Sequence, residues 1–150
     1  MIDIAALKAR LEQEEGREYS PYTDTKGILT VGVGHNMEAR PLDPTWTFPL
    51  TDAQVDQLLD DDTNATLTEM YANLPWVQNL DPVRESAVAD LYFNMGWSKF
   101  SAFQQFFGFL QNGDYESAAN DLEHTAWFGE VGHRGPEIVG LIRTGQSATI

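Results

Sequence analysis

The chain has no cysteine, only 9 lysines and arginines against 23 aspartates and glutamates, and no long uninterrupted apolar run. Without cysteine there can be no disulfide framework, no thiol enzyme and no cysteine-ligated zinc, and a reducing compartment is compatible. The shortage of basic charge leaves a formal net charge of −14. Such a field repels nucleic acid and anionic membrane surfaces, so neither is expected as a partner. No stretch approaches the ~18 consecutive apolar residues of a membrane span, so insertion is not expected. The first fifteen residues lack the apolar core of a secretory signal and turn acidic where a transit peptide would be basic. Gly-x-Ser-x-Gly and His-Glu-x-x-His are absent, and His35, His124 and His133 are scattered without metal-ligand spacing. Asp60-Asp61-Asp62 lacks the alternation and glycine of a calcium loop. Gly32-Val33-Gly34 lacks the third glycine and following helix of a dinucleotide site and reads as close backbone packing. No metal or cofactor is expected.

What is present is a globular composition, 42% apolar and 11% aromatic over 150 residues, enough for one domain or two small lobes. Ile4, Leu7 and Leu11 recur at helical spacing, with Gly16 as a stop. From residue 17 to 35 the β-branched Thr30, Val31 and Val33 and the turn Asp24-Thr25-Lys26-Gly27 predict a small hairpin. Pro41, Pro44 and Pro49 break the next stretch, and Thr51 with Gln54 offers a capping box for a long helix reaching about Asn73. Asp81 before Pro82 opens another helix, with Val83, Ala87, Leu91 and Met95 on one stripe. Phe100, Phe103, Phe106, Phe107 and Leu110 form an aromatic amphipathic stretch that reads as core, closed by Asn112-Gly113. Tyr115, Ala118, Ala119 and Leu122 make a shorter helix, and a last one runs from Pro136 to Gly145.

Three residues near the start can carry chemistry. Glu15 ends the first helix, where the negative pole of the dipole and the neighbours Glu12 and Glu14 disfavour a further negative charge. That suits a general acid, which must hold a proton for a leaving oxygen, although a solvated helix end explains the residue equally. Asp24 opens a tight turn, a place Asp also takes for local hydrogen bonding alone. Thr30 lies across the hairpin, where its hydroxyl could hold a water for Asp24 to deprotonate, yet a β-branched residue in a strand needs no such reason. Together they meet what glycoside hydrolysis requires, an acid and a base carboxylate flanking the bond. Asp62 lies on the apolar stripe of the long helix beside Leu58 and Leu59 and needs a partner there, for which His35 is the candidate, unless the helix is rotated and Asp62 is merely solvated.

The segments Glu15-Gly16, Asp24-Thr25-Lys26-Gly27 and Thr30-Val31-Gly32-Val33-Gly34-His35 resemble the N-terminal signature of the phage lysozymes, glycoside hydrolase family 24. The likeness continues at Leu58 to Asp62, Asp81 to Arg84, Phe93-Asn94-Met95-Gly96, Trp127 to Arg134 and Arg143-Thr144-Gly145, over nearly the whole chain. The resemblance implies an α+β, mostly helical, lysozyme-like two-lobe fold. It would have a hairpin lobe over about 16–50, a linking helix over about 51–73, and a helical lobe over about 74–145 joined by the N-terminal helix 3–15. It implies a monomeric endolysin, a muramidase cutting the β-1,4 bond between N-acetylmuramic acid and N-acetylglucosamine in peptidoglycan glycan strands, with inversion. Glu15 would be the acid, and Asp24 with Thr30 would activate water. His35 with Asp62 resembles the family's supporting ion pair, and Arg134 the arginine that contacts the catalytic glutamate. The segment from Asn36 to Leu50 is short beside the T-even phage enzyme, implying a trimmed hairpin lobe. The protein would stay in the host cytoplasm until a holin-like lesion admits it to the periplasm and cell wall, or travel with the virion. Two other readings remain: a lytic transglycosylase on the same bond, or a catalytically silent wall-binding or virion structural module.

Overall fold

A computed structural model describes residues 1–147 of the chain. Its first helix, α1 (Ile4–Glu15), buries Leu7 and Leu11, while Ile4, expected on the same stripe, is 41% exposed in the first turn. Gly16 stops the helix in a left-handed conformation (φ 78°), its N–H donating to the Glu12 carbonyl at 2.8 Å. Three antiparallel strands follow in the order β1 (Glu18–Thr23), β2 (Leu29–Gly32) and β3 (His35–Asn36). Tyr22 pairs with Thr30 across the first ladder, and Val31 with His35 across the second. The expected hairpin thus gains a third strand of two residues, too short to show any periodicity in the sequence.

The long helix α2 (Asp52–Asn73) begins with the reciprocal capping box expected of its sequence. The Gln54 N–H donates to Thr51 Oγ1 at 3.1 Å, and the Thr51 N–H to Gln54 Oε1 at 2.9 Å. Two structural units divide the chain: one comprises Ala5–Thr66, and the other Met1–Ile4 with the chain from Leu67 onward, so α2 contributes to both. In the first unit the buried apolar residues are Leu7, Leu11, Val31, Val33, Leu50, Val55, Leu58 and Leu59.

The second unit is helical. After a 3-10 turn at Pro75–Asn79, α3 (Pro82–Met95) starts at Asp81, whose side chain accepts from the Arg84 N–H at 3.1 Å. Every residue from Glu85 to Tyr92 is buried, so α3 is enclosed on all sides rather than along the single stripe its apolar spacing predicts. The aromatic stretch is divided between α4 (Trp97–Phe100) and α5 (Gln104–Gln111), separated by a turn at Ser101-Ala102. Phe100, fully buried, meets Phe107 edge-on at 5.0 Å and Phe103 at 5.4 Å, contacts worth ~0.5–1.5 kcal/mol each beyond area burial. Helix α6 (Tyr115–Glu123) packs on both α5 and α8 (Arg134–Thr144), with α7 (Ala126–Glu130) a single turn between. Helix α8 starts two residues before Pro136, which fits because first-turn N–H groups have no helical partner to lose. Arg84 caps the other end of α8, donating to the Ile142 carbonyl at 2.5 Å and the Arg143 carbonyl at 3.0 Å. Among the described residues no helix is long and apolar enough to cross a membrane.

Candidate active site

Glu15, Asp24 and Thr30 all lie in the Ala5–Thr66 unit. Glu15 is the last residue of α1 and is half-buried. Its carboxyl rests on the backbone of Gly34, where an added Cβ would fall 2.8 Å from Oε2. Asp24 is held by its own turn. Its Oδ1 accepts from the N–H groups of Lys26 and Ile28, each at 2.8 Å, while its backbone N–H donates to the Ile28 carbonyl at 2.9 Å. One carboxylate oxygen is therefore committed to the turn, and the other is the one that can face a reactant. Thr30 is 3% exposed, and its hydroxyl donates to the Ile28 carbonyl at 2.8 Å. Tyr22, opposite Thr30 in the ladder, has its phenol pushed up by burial and then by the negative charges of Glu15, Glu18 and Asp24, so these carboxylates bear on one patch of the sheet.

An ion cluster joins β3, the segment after it and α2. His35 Nδ1 lies 2.7 Å from Asp62 Oδ2, and its Nε2 lies 2.8 Å from the Arg40 carbonyl oxygen. Both partners only accept, and a neutral imidazole carries one N–H, so the geometry requires the doubly protonated ring. Burial pulls the imidazole down, but the hydrogen bond and charge of Asp62 and the Arg40 carbonyl outweigh it, and the net shift is upward. The Arg40 side chain also reaches Asp62, with Nη1 to Oδ1 at 2.9 Å. Arg40 had no place in the sequence reading, because proline-broken segments carry no periodicity from which to aim a side chain.

Arg17 was also missed. It donates to Glu12 at 2.7 Å, Asp56 at 2.8 Å, Asp52 at 3.1 Å and the Tyr19 hydroxyl at 3.1 Å, tying the chain just after Glu15 to the start of α2. The available signal was that Arg17 is the one basic residue between Glu12 and Glu18. In the other unit, Arg134 is 8% exposed and its Nε donates at 3.1 Å to Asp90, which is fully buried. Among the described residues no cluster of His, Cys, Asp or Glu is arranged to hold a metal ion.

Residues 12–146 match the phage lysozyme family. Probable T4-type lysozyme 1 of Dictyostelium discoideum is 22% identical over 95% of this chain and 96% of its own. Probable T4-type lysozyme 2 of the same organism is 23% identical over the same shares. The endolysin of Salmonella phage P22 is 30% identical over 61% of this chain and 62% of its own. The match takes in Glu15 at the end of α1, Asp24 in its turn, Thr30 on β2 and the helical unit that follows, so this chain belongs to the phage lysozyme family and is a glycoside hydrolase.

Proposed function

We propose that this lysozyme hydrolyses the β-1,4 bond between N-acetylmuramic acid and N-acetylglucosamine in peptidoglycan, with Glu15 as general acid and Asp24 and Thr30 as the water-activating pair. The observation that carries this reading is the fixed hydrogen-bond role of Thr30. Its hydroxyl proton is committed to the Ile28 carbonyl, so toward a water it acts as an acceptor. A water between Thr30 and Asp24 then directs one hydrogen to each residue and turns its lone pair outward. Asp24 takes the proton as that lone pair attacks the anomeric carbon, while Glu15 protonates the departing oxygen. Attack from the face opposite the leaving group inverts the anomeric centre. The two backbone N–H donors on Asp24 hold its carboxylate in place, so little reorganisation is left for the transition state.

A lytic transglycosylase needs no water, and the paired commitment of Asp24 and Thr30 would serve no purpose in it. Purified peptidoglycan should be digested with the wild type and with Glu15→Gln, reduced with borohydride and analysed by mass spectrometry. Reduced muramic acid ends from the wild type alone are expected. Anhydro-muramic ends would overturn hydrolysis, and turnover by Glu15→Gln would remove Glu15 from the acid's role.

A further inference from the structure

Two glycines at the β2–β3 connection lie in the left-handed region, Gly32 at the end of β2 at φ 67° and Gly34 in the turn at φ 64°. Backbone conformation alone favours glycine at both. Their surroundings differ. A Cβ on Gly32 would lie 3.6 Å from Val55 Cγ1 and 3.7 Å from Leu58 Cδ1, ordinary contacts. A Cβ on Gly34 would lie 2.8 Å from Oε2 of Glu15, closer than real Cβ atoms come, and 3.0 Å from its Cγ and 3.1 Å from its Cδ, so the carboxyl would have to shift. The Glu15 carboxyl thus occupies the space a side chain at position 34 would need.

The wall beneath that carboxyl is stiff. Val33, just before Gly34, is 1% exposed, and His35, just after, is 4% exposed. His35 also pairs with Val31 across the sheet and is held at both ring nitrogens by Asp62 and the Arg40 carbonyl. A peptide pinned on both sides cannot retreat, so the shift falls on the Glu15 carboxyl, the far end of a flexible side chain.

We propose that Gly34 is a positioning residue for the reaction, a bare backbone seat that fixes where the Glu15 carboxyl delivers its proton. The inference rests on Glu15 being the general acid. A side chain at 34 evicts the carboxyl while leaving the fold intact, so the loss falls on the chemical step rather than on substrate binding. A misplacement of about 1 Å costs on the order of 100-fold in rate.

The test compares Gly34→Ala with Gly32→Ala, which imposes the same backbone strain without touching Glu15. Both variants are assayed on soluble peptidoglycan fragments at a temperature where circular dichroism shows them folded. Gly34→Ala should lose kcat by roughly 100-fold with KM within about three-fold of wild type, the pattern of an interaction used only in the transition state. Gly32→Ala should lose melting temperature to a similar extent and keep its kcat. The alkaline limb of the Gly34→Ala pH–rate profile should also move, because the acid sits in new surroundings, whereas partial unfolding lowers a profile without moving it. Equal kcat in the two glycine variants would overturn the proposal. So would a Gly34→Ala chain that folds at no temperature while Gly32→Ala folds, since the backbone rather than the carboxyl would then bear the clash. Turnover by Glu15→Gln would instead overturn the assignment of the acid, so the two failures are distinguishable.

Discussion

Replacing Asp62 with Asn removes a charge from a buried cluster and preserves its shape, and the cost should depend on pH in a definite direction. The Asp62 side chain is 11% exposed and His35 4%, while Arg40 is 49% exposed. The Arg40 leg is therefore a surface pair, worth ~0–1 kcal/mol. The His35 leg is buried, and leaving one member of such a pair unmatched costs about 3–5 kcal/mol. His35 holds its proton more tightly in the folded protein than its ordinary value of 6.5. The stabilisation is consequently complete below about pH 6.5 and lost as the pH rises through the elevated folded value. Once His35 is neutral, only a hydrogen bond of ~1 kcal/mol and the Arg40 leg remain for Asp62→Asn to remove.

Thermal unfolding of wild type and Asp62→Asn, followed by circular dichroism from about pH 5.5 to 9.5, measures this. At ~2–4 °C per kcal/mol for a chain of this size, the gap in Tm should be roughly 6–20 °C at the acid end and shrink to a few degrees at the alkaline end. Other titrating groups are common to both proteins and cancel in the difference. A gap that stays constant, or widens as the pH rises, would refute the doubly protonated His35 and the reasoning built on it.

Thr30→Val removes the hydroxyl at nearly constant volume and should lower kcat by roughly 2–10-fold, the equivalent of one neutral hydrogen bond of ~0.5–1.5 kcal/mol, whereas Thr30→Ser should retain most of the rate. Steady-state kinetics on soluble fragments decide it, and equal loss in both would argue against the hydroxyl. Asp90→Ala should cost about 1.5–3 kcal/mol in urea unfolding because it removes a buried, charge-assisted hydrogen bond from Arg134, while Lys99→Ala, from an exposed 3.9 Å pair with Glu130, should change stability by under ~1 kcal/mol. Activity on whole peptidoglycan should rise from low to moderate salt as the Debye length shrinks from ~30 to ~10 Å, since a chain of −14 meets an anionic wall. A monotonic fall with added salt would show that repulsion does not limit the encounter.

The fold was legible wherever a local signal named its own structural consequence. Thr51 with Gln54, Asp81 before Pro82, and Gly16 after Glu15 each satisfy or end a helix through bonds within four residues of themselves, and the structure holds those bonds. Signals of this kind fail when an element is enclosed on every side. In α3 the run from Glu85 to Tyr92 is buried all round, so its few apolar positions trace a stripe that the packing does not respect. Asp90 was overlooked for the same reason, because against a helix with no solvated face a carboxylate does not stand out as misplaced. Asp62 did stand out, since α2 alternates buried Val55, Leu58 and Leu59 with exposed Asp56, Gln57 and Asp60.

The candidate site divides along a similar line. Glu15, Asp24 and Thr30 could be singled out because a helix end, a turn and a strand each constrain one residue type locally. Asp24 and Thr30 are also held locally, through Lys26 and Ile28, whereas the ion pairs around them are non-local. Arg17 reaches Asp52 and Asp56 across 35 and 39 residues, and Arg40 reaches Asp62 across 22. Nothing in the spacing of a chain reports which distant element will arrive beside such a side chain. Gly34 lies between the two cases: its backbone role could be read from Gly32-Val33-Gly34, but the carboxyl that fills the missing side chain's place comes from α1, 19 residues earlier. Glu15 is thus announced by local pattern and aimed by long-range contact, so substitutions that alter its aim alone should concentrate at positions such as Gly34 and Arg17 rather than at the carboxylate itself.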